Sequence, residues 1–159
     1  MTEDSAEKQY RRLREQLAGL LSGETDAIAN AANMAAFLYM ELDDINWAGF
    51  YFLRGGELVV GPFQGRPACV RIALGKGVCG TAAEKRTTLV IEDVDQFDGH
   101  IVCDIASRSE IAIPLIANDQ LVGILDIDAP SVGRFSDADR DGLEALAGVY
   151  LEASDITSF

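Results

Sequence analysis

Cys69, Cys79 and Cys103 are the residues of this 159-residue sequence best equipped for covalent chemistry. Cys103 sits in GHIVCDIASRSE (99–110), a Gly- and Ser-punctuated, charged connection that also holds the chain's one histidine, His100. A free cysteine normally behaves as a small buried hydrophobe, yet Asp104, Arg108 and Glu110 all follow this one within seven residues. Cys79 falls near the start of a short predicted helix, where the helix dipole favours a thiolate. Cys69 follows Pro67 at the edge of a predicted strand. An odd cysteine count, behind a start (MTEDSAEKQYRRLREQ) with no signal-peptide apolar region, does not make a structural disulfide framework. Inert packing, a metal site and thiol–disulfide chemistry remain. A Cys3His zinc site with His100 would draw on close pairs such as C-x2-C, and no two of these cysteines are that near. Thiol–disulfide chemistry is the favoured reading.

Acids and aromatics supply a possible setting. Along a strand side chains alternate faces, so Asp126 and Asp128 point together, away from Leu125 and Ile127. Such a face is unremarkable if it meets water. If it lines a cleft, neighbouring carboxylates repel and one keeps a proton. Glu110 opens a strand whose other face carries Ile111, Ile113 and Leu115. A protonated acid near a sulfur nucleophile would be useful chemistry. In WAGFY (47–51), Trp47, Gly49 and Tyr51 share one face and Ala48, Phe50 and Phe52 the other. Two aromatics flanking a residue without a side chain read either as a walled gap for a small apolar or sulfur-containing group, or as a second core face.

The elements that must position these groups follow from periodicity. Residues 5–21 place Tyr10, Leu13, Leu17, Leu20 and Leu21 near helical spacing, and 25–42 repeat the pattern with Ile28, Ala32, Ala35, Leu38, Tyr39 and Leu42. Residues 47–53 and 57–63 read as a hairpin about a Gly-Gly turn, 69–74 as a third strand, and 88–94 as a fourth after a short helix. A second hairpin, 109–117 and 120–128, turns at Asn118-Asp119. Ser136 then caps a last helix with Leu143, Leu146, Ala147 and Tyr150 inward. Helices enclosing hairpin-linked strands make an α+β fold with an antiparallel sheet.

Composition narrows the partners. With 13 basic against 26 acidic residues, net charge −13, the chain lacks the cationic surface that nucleic acid or an anionic membrane requires. No apolar run approaches a membrane span. A cytoplasmic protein is expected. GKGVCG (75–80) lacks the Lys-Ser/Thr ending of a phosphate loop.

Five segments also carry a resemblance: NWAGFY (46–51), GPFQGRPACVRI (61–72), GKGVCGTAA (75–83), GHIVCDIASRSEIAIPL (99–115) and GILDIDAP (123–130). Together they closely resemble the free methionine-(R)-sulfoxide reductases, a family built on a single GAF domain, over nearly the whole chain. The resemblance implies one GAF domain over residues 1–159: N-terminal helices about 5–42, a six-stranded antiparallel sheet with active-site loops about 46–130, and a C-terminal helix about 136–153. It implies reduction of free L-methionine (R)-sulfoxide, not the protein-bound sulfoxide, with electrons from thioredoxin and neither metal nor organic cofactor. By the same resemblance Cys103 is the attacking cysteine and Cys69 the resolving one, while Cys79 is an alternative nucleophile or resolver. Glu110, Asp126 and Asp128 match pocket carboxylates; on chemical grounds Glu110 and Asp128 are the candidate proton sources and Asp126 the candidate holder of the substrate ammonium, with these roles exchangeable. Trp47 and Tyr51 match the aromatic walls. His100 is assigned structural support, and a homodimer packed through the N-terminal helices is expected. The rival expectation is a non-catalytic GAF module that senses a small ligand or redox state.

Overall fold

The computed structural model describes residues 3–99 and 106–158; His100 and Cys103 lie outside the described residues. Two helices come first, α1 (Glu3–Leu21) and α2 (Ala27–Glu41). Strands β1 (Trp47–Arg54), β2 (Glu57–Gly65) and β3 (Arg71–Ala73) lead to helix α3 (Gly77–Lys85). Strands β4 (Leu89–Ile91), β5 (Ser109–Ala117) and β6 (Gln120–Ala129) precede the last long helix, α4 (Asp137–Ala153). The six strands form one antiparallel sheet in the order β3-β2-β1-β6-β5-β4. Both predicted hairpins are present. Their two-residue loops, Gly55-Gly56 and Asn118-Asp119, all have positive φ, the conformation that matches the twist of paired strands.

The period-two pattern sends β residues to two different cores. Ala48, Phe50, Phe52, Ile111, Ile113, Leu125 and Ile127 pack beneath α2 and α4, while Trp47, Tyr51, Ala112 and Ile124 face α3. On the larger core's side, α1 leans on α4, burying Tyr10, Leu13, Leu17 and Leu21. Ser136 and Asp139 make a reciprocal capping box at the start of α4. Farther along α4, Tyr150 packs its ring 4.8 Å from Phe50 and donates its hydroxyl to the Ala27 carbonyl at 2.8 Å.

Several local expectations are corrected. The inward face of α2 is Asn30, Ala31, Met34, Ala35 and Leu38, leaving Ile28 and Tyr39 over 40% exposed. The helix is apolar nearly all round, so periodicity gave its orientation no purchase. Asn30 decides it, because its amide donates to the Glu24 carbonyl and to Ser154 Oγ beyond α4 and so can be buried. Leu20, expected inward, is 47% exposed. The edge strands are also shorter than predicted. Cys69 lies on the connection before β3, and Val94 lies in a 3-10 turn capped by Asp93.

Candidate active site

Three adjacent strands carry the site. In cross-strand register, Trp47 of β1 stands beside Asp128 of β6, and Asp128 beside Glu110 of β5. One row along, Asp126 lies between Gly49 and Ala112. Ala112 carries only a methyl group, which leaves Asp126 room on the β5 side, and the carboxylates of both rows line one cavity over the sheet. Above them α3 lowers Cys79, whose thiol donates to Glu110 Oε2 at 3.6 Å. The cavity between has about 50 Å³ for water-sized occupants, enough for a few small groups. Trp47, Tyr51, Cys79, Glu110, Asp126 and Asp128 all line it.

Burial sets the electrostatics. Asp126 is 4% and Glu110 8% exposed. Burial pushes the Glu110 carboxyl well above its ordinary range, and the Asp126 charge adds to this. Burial and then the Asp128 charge push Asp126 up, against hydrogen bonds from Glu110 and Cys79. Asp126 Oδ1 has no hydrogen-bond partner among the described residues. Acids so placed hold their protons to higher pH than exposed carboxylates do. The same reasoning overturns the thiolate expected at Cys79. Burial first, then the charges of Asp126, Glu110 and Asp128, push its pKa well up. A helix N-terminus contributes only about 0.3–1 kcal/mol at exposed sites, too little to reverse that.

The aromatic pair departs from expectation in one respect and adds something in another. No gap stands over Gly49. A Cβ there would collide with Phe63 of β2, whose ring stacks on Trp47 at 5.2 Å between centroids. A register shift between Gly49 and Tyr51 marks a bulge, which brings β2 over this position. Trp47 and Tyr51 stack at 5.9 Å and remain cavity walls. Their polar ends serve the loop above. Trp47 Nε1 donates to the Arg66 carbonyl at 3.1 Å, and the Tyr51 hydroxyl to the Cys69 carbonyl at 3.1 Å. Cys69 is disulfide-bonded, whereas Cys79 is a free thiol.

The structure therefore brings Trp47, Tyr51, Cys79, Glu110, Asp126 and Asp128 to one cavity, with Cys69 tethered at its rim. Cys103 lies outside the described residues. Sequence reasoning missed Ser107, which lines the cavity and accepts from Asn46 Nδ2 at 3.2 Å. It also missed Phe63. Only the bulge would have revealed that ring, and a bulge has no reliable signature in one sequence. Chemically, the arrangement can hold a small cation against carboxylates, keep a proton for an oxygen, and clasp an apolar group between rings.

Residues 26–153 match the GAF domain family. The chain is 53% identical over 137 residues to the free methionine-R-sulfoxide reductase of Escherichia coli K12, covering 86% of this chain and 83% of that protein. This chain belongs to the free methionine-R-sulfoxide reductases. Two solved structures of the family are in complex with substrate. The Staphylococcus aureus protein superimposes with a TM-score of 0.87 at 50% identity, covering 91% of this chain and 94% of that one. The Neisseria meningitidis reductase gives 0.87 at 40% identity, covering 91% and 87%. The family expected from the five sequence segments is thus the one found. The six-stranded antiparallel sheet between helices is likewise the GAF architecture.

Proposed function

We propose that this chain reduces free L-methionine (R)-sulfoxide to methionine, as one GAF domain spanning residues 1–159. The observation that carries the reading is the cross-strand cluster of Glu110, Asp126 and Asp128 beside Trp47, in a chain so similar to reductases solved with substrate. Asp126 receives the substrate ammonium, and Trp47 and Tyr51 clasp the S-methyl group. The Cys103 thiolate attacks the sulfoxide sulfur. The S–O bond breaks as the oxygen takes a proton held by Glu110 or Asp128. The hydroxide so released attacks Cys103 Sγ. The S–S bond between Cys103 and the substrate breaks with its electron pair passing to the substrate sulfur, and methionine leaves while Cys103 becomes a sulfenic acid. The Cys69 thiol then condenses with it, forming a disulfide and releasing water. Thiol exchange with a dithiol protein of the thioredoxin type restores both cysteines. In support, Cys69 is disulfide-bonded while Cys79 is a free thiol. Cys79 acts as an auxiliary thiol, since its raised pKa makes it a poor attacking group.

No metal or organic cofactor enters this scheme. The setting we propose is the cytoplasm. Among the described residues no helix is long and apolar enough to cross a membrane. The assembly is a homodimer joined through the N-terminal helices, supported by the outward Ile28, Tyr39 and Met40 of α2. A coupled assay with thioredoxin tests the reaction on free R-, free S- and peptide-bound methionine sulfoxide. Turnover of the free R form alone is expected. Binding without turnover of any form would make the chain a ligand sensor. In single-turnover experiments, Cys103→Ser abolishes methionine release, while Cys69→Ser spares it and blocks recycling; intact release in Cys103→Ser would move the nucleophile to Cys79.

A further inference from the structure

The cavity holds a second arrangement, which joins Cys79 to two of the carboxylates that the proposed reductase chemistry uses. Cys79 Sγ and one oxygen each from Glu110 and Asp126 all lie within 4.8 Å of one another. Two ligand atoms tetrahedrally placed on a zinc-sized ion stand about 3.3–3.8 Å apart, given bonds of roughly 2.0–2.3 Å. The Cys79–Glu110 separation of 3.6 Å already falls in that range. All three residues are buried, at 4%, 8% and 4% exposure. A second sign of a missing ligand is Asp126, which lines the cavity and whose buried Oδ1 has no hydrogen-bond partner among the described residues. A buried carboxylate oxygen left so is costly unless something comes to meet it. The three donors sit on α3 and on the central strands β5 and β6, elements rigid enough to hold ligand positions.

We infer that Cys79, Glu110 and Asp126 form a binding site for one thiophilic divalent cation of the zinc class. One sulfur and two carboxylate oxygens suit zinc or cobalt and disfavour magnesium and calcium, which take oxygen ligands only. The ion displaces protons from the thiol and the acids as it binds. The donor set shares neither Cys69, Cys103 nor His100 with the Cys3His arrangement that the sequence spacing argues against. Under the function proposed above, on which this one consequence rests, the ion occupies carboxylates needed by the substrate and therefore inhibits.

Cobalt is the probe. In the disulfide form of the protein, Co2+ titration is expected to give a cobalt–thiolate charge-transfer band saturating at one ion per chain and bleached by Zn2+. Cys79→Ser removes the band, and Asp126→Asn weakens cobalt affinity at least tenfold. Circular dichroism checks that both variants fold, and if Cys79→Ser does not, Asp126→Asn decides. No band in the parent protein, a band surviving Cys79→Ser, or undiminished affinity in Asp126→Asn overturns the site. The inhibitory consequence is read separately. Zinc should raise KM for free methionine sulfoxide while kcat holds, and a fall in kcat alone overturns the overlap. A cobalt band in a protein that turns over no sulfoxide supports the site and overturns only the proposed function.

Discussion

At the residue scale, burial and mutual repulsion set the acids of the site apart from exposed carboxylates. Glu110 is the clearest case. Buried, beside Asp126 and under the Cys79 thiol, it keeps its proton at pH values where an exposed glutamate has lost it. A sulfoxide oxygen leaving a sulfur needs that proton as the bond breaks, so Glu110→Gln tests the role while preserving size and hydrogen bonding. Single-turnover methionine release should fall by roughly 10²–10⁴-fold, the usual worth of a positioned acid. The pH profile carries a second signature. Because the Glu110 pKa is raised, the protonated form persists to higher pH than in an exposed glutamate and is lost as pH climbs past that raised value. The parent rate should therefore decline on the alkaline side, and the residual Glu110→Gln rate should lack that limb. A variant with the parent's profile would assign the limb to another group.

At the element scale, β1 ties the pocket floor to the connection that carries the proposed resolving cysteine. Removing the Tyr51 hydroxyl leaves the Trp47–Arg66 bond to hold residues 66–69. Tyr51→Phe keeps the aromatic wall but loses a hydrogen bond worth about 0.5–1.5 kcal/mol. Disulfide formation after one turnover should slow about 2- to 10-fold, more than methionine release does, as rapid-quench thiol counting would record. Equal slowing of both steps would show that the tether does not position Cys69. A second junction joins α1 to α4. Asp139 accepts from the Tyr10 hydroxyl at 2.6 Å and from Ser136, and pairs with Arg134 at 3.2 Å. Burial raises its pKa, but the Ser136 backbone N–H, Tyr10, Arg134 and the Ser136 hydroxyl outweigh this and hold it below the usual aspartate value. A depressed pKa means stability that is present above the unfolded value of about 3.9 and is lost as pH falls through the folded one. Asp139→Asn should lower urea stability at pH 7, with the difference shrinking below about pH 4; a gap constant with pH would make the loss one of packing. Much of this scale was legible in the sequence. Alternation alone put Asp126 with Asp128 and Trp47 with Tyr51, the β1–β6 register then setting both pairs on one face, and both hairpin turns stood in residues that favour positive φ. The tether was not legible, because it joins Tyr51 to a backbone carbonyl 18 residues away. Nor was the Cys79 proton, which depends on acids that β5 and β6 bring from distant sequence. The α2 face failed for want of contrast in an Ala-rich helix.

At the scale of the whole molecule, charge and packing pull against each other. Twenty-six acidic against 13 basic residues leave a net charge of −13, spread over a single layered fold. Two effects of salt compete. It weakens surface ion pairs, here Arg71–Glu57 and the Arg140 cluster with Asp137, Asp141 and Glu144, and it screens the repulsion among the remaining acids. The pairs are exposed, and such pairs contribute about 0–1 kcal/mol each, several of nearly nothing. Repulsion acts over the whole surface and reaches as far as the Debye length, about 30 Å at 0.01 M salt but only about 8 Å at 0.15 M. Screening should win. Raising NaCl between those two values at fixed neutral pH is expected to raise Tm by about 2–4 °C, equivalent to roughly 1 kcal/mol for a chain of this size. Sucrose at matched osmolarity separates general solute exclusion from charge screening. A Tm that falls with salt would mean that the Arg71 and Arg140 pairs hold the molecule together more strongly than its excess acids push it apart.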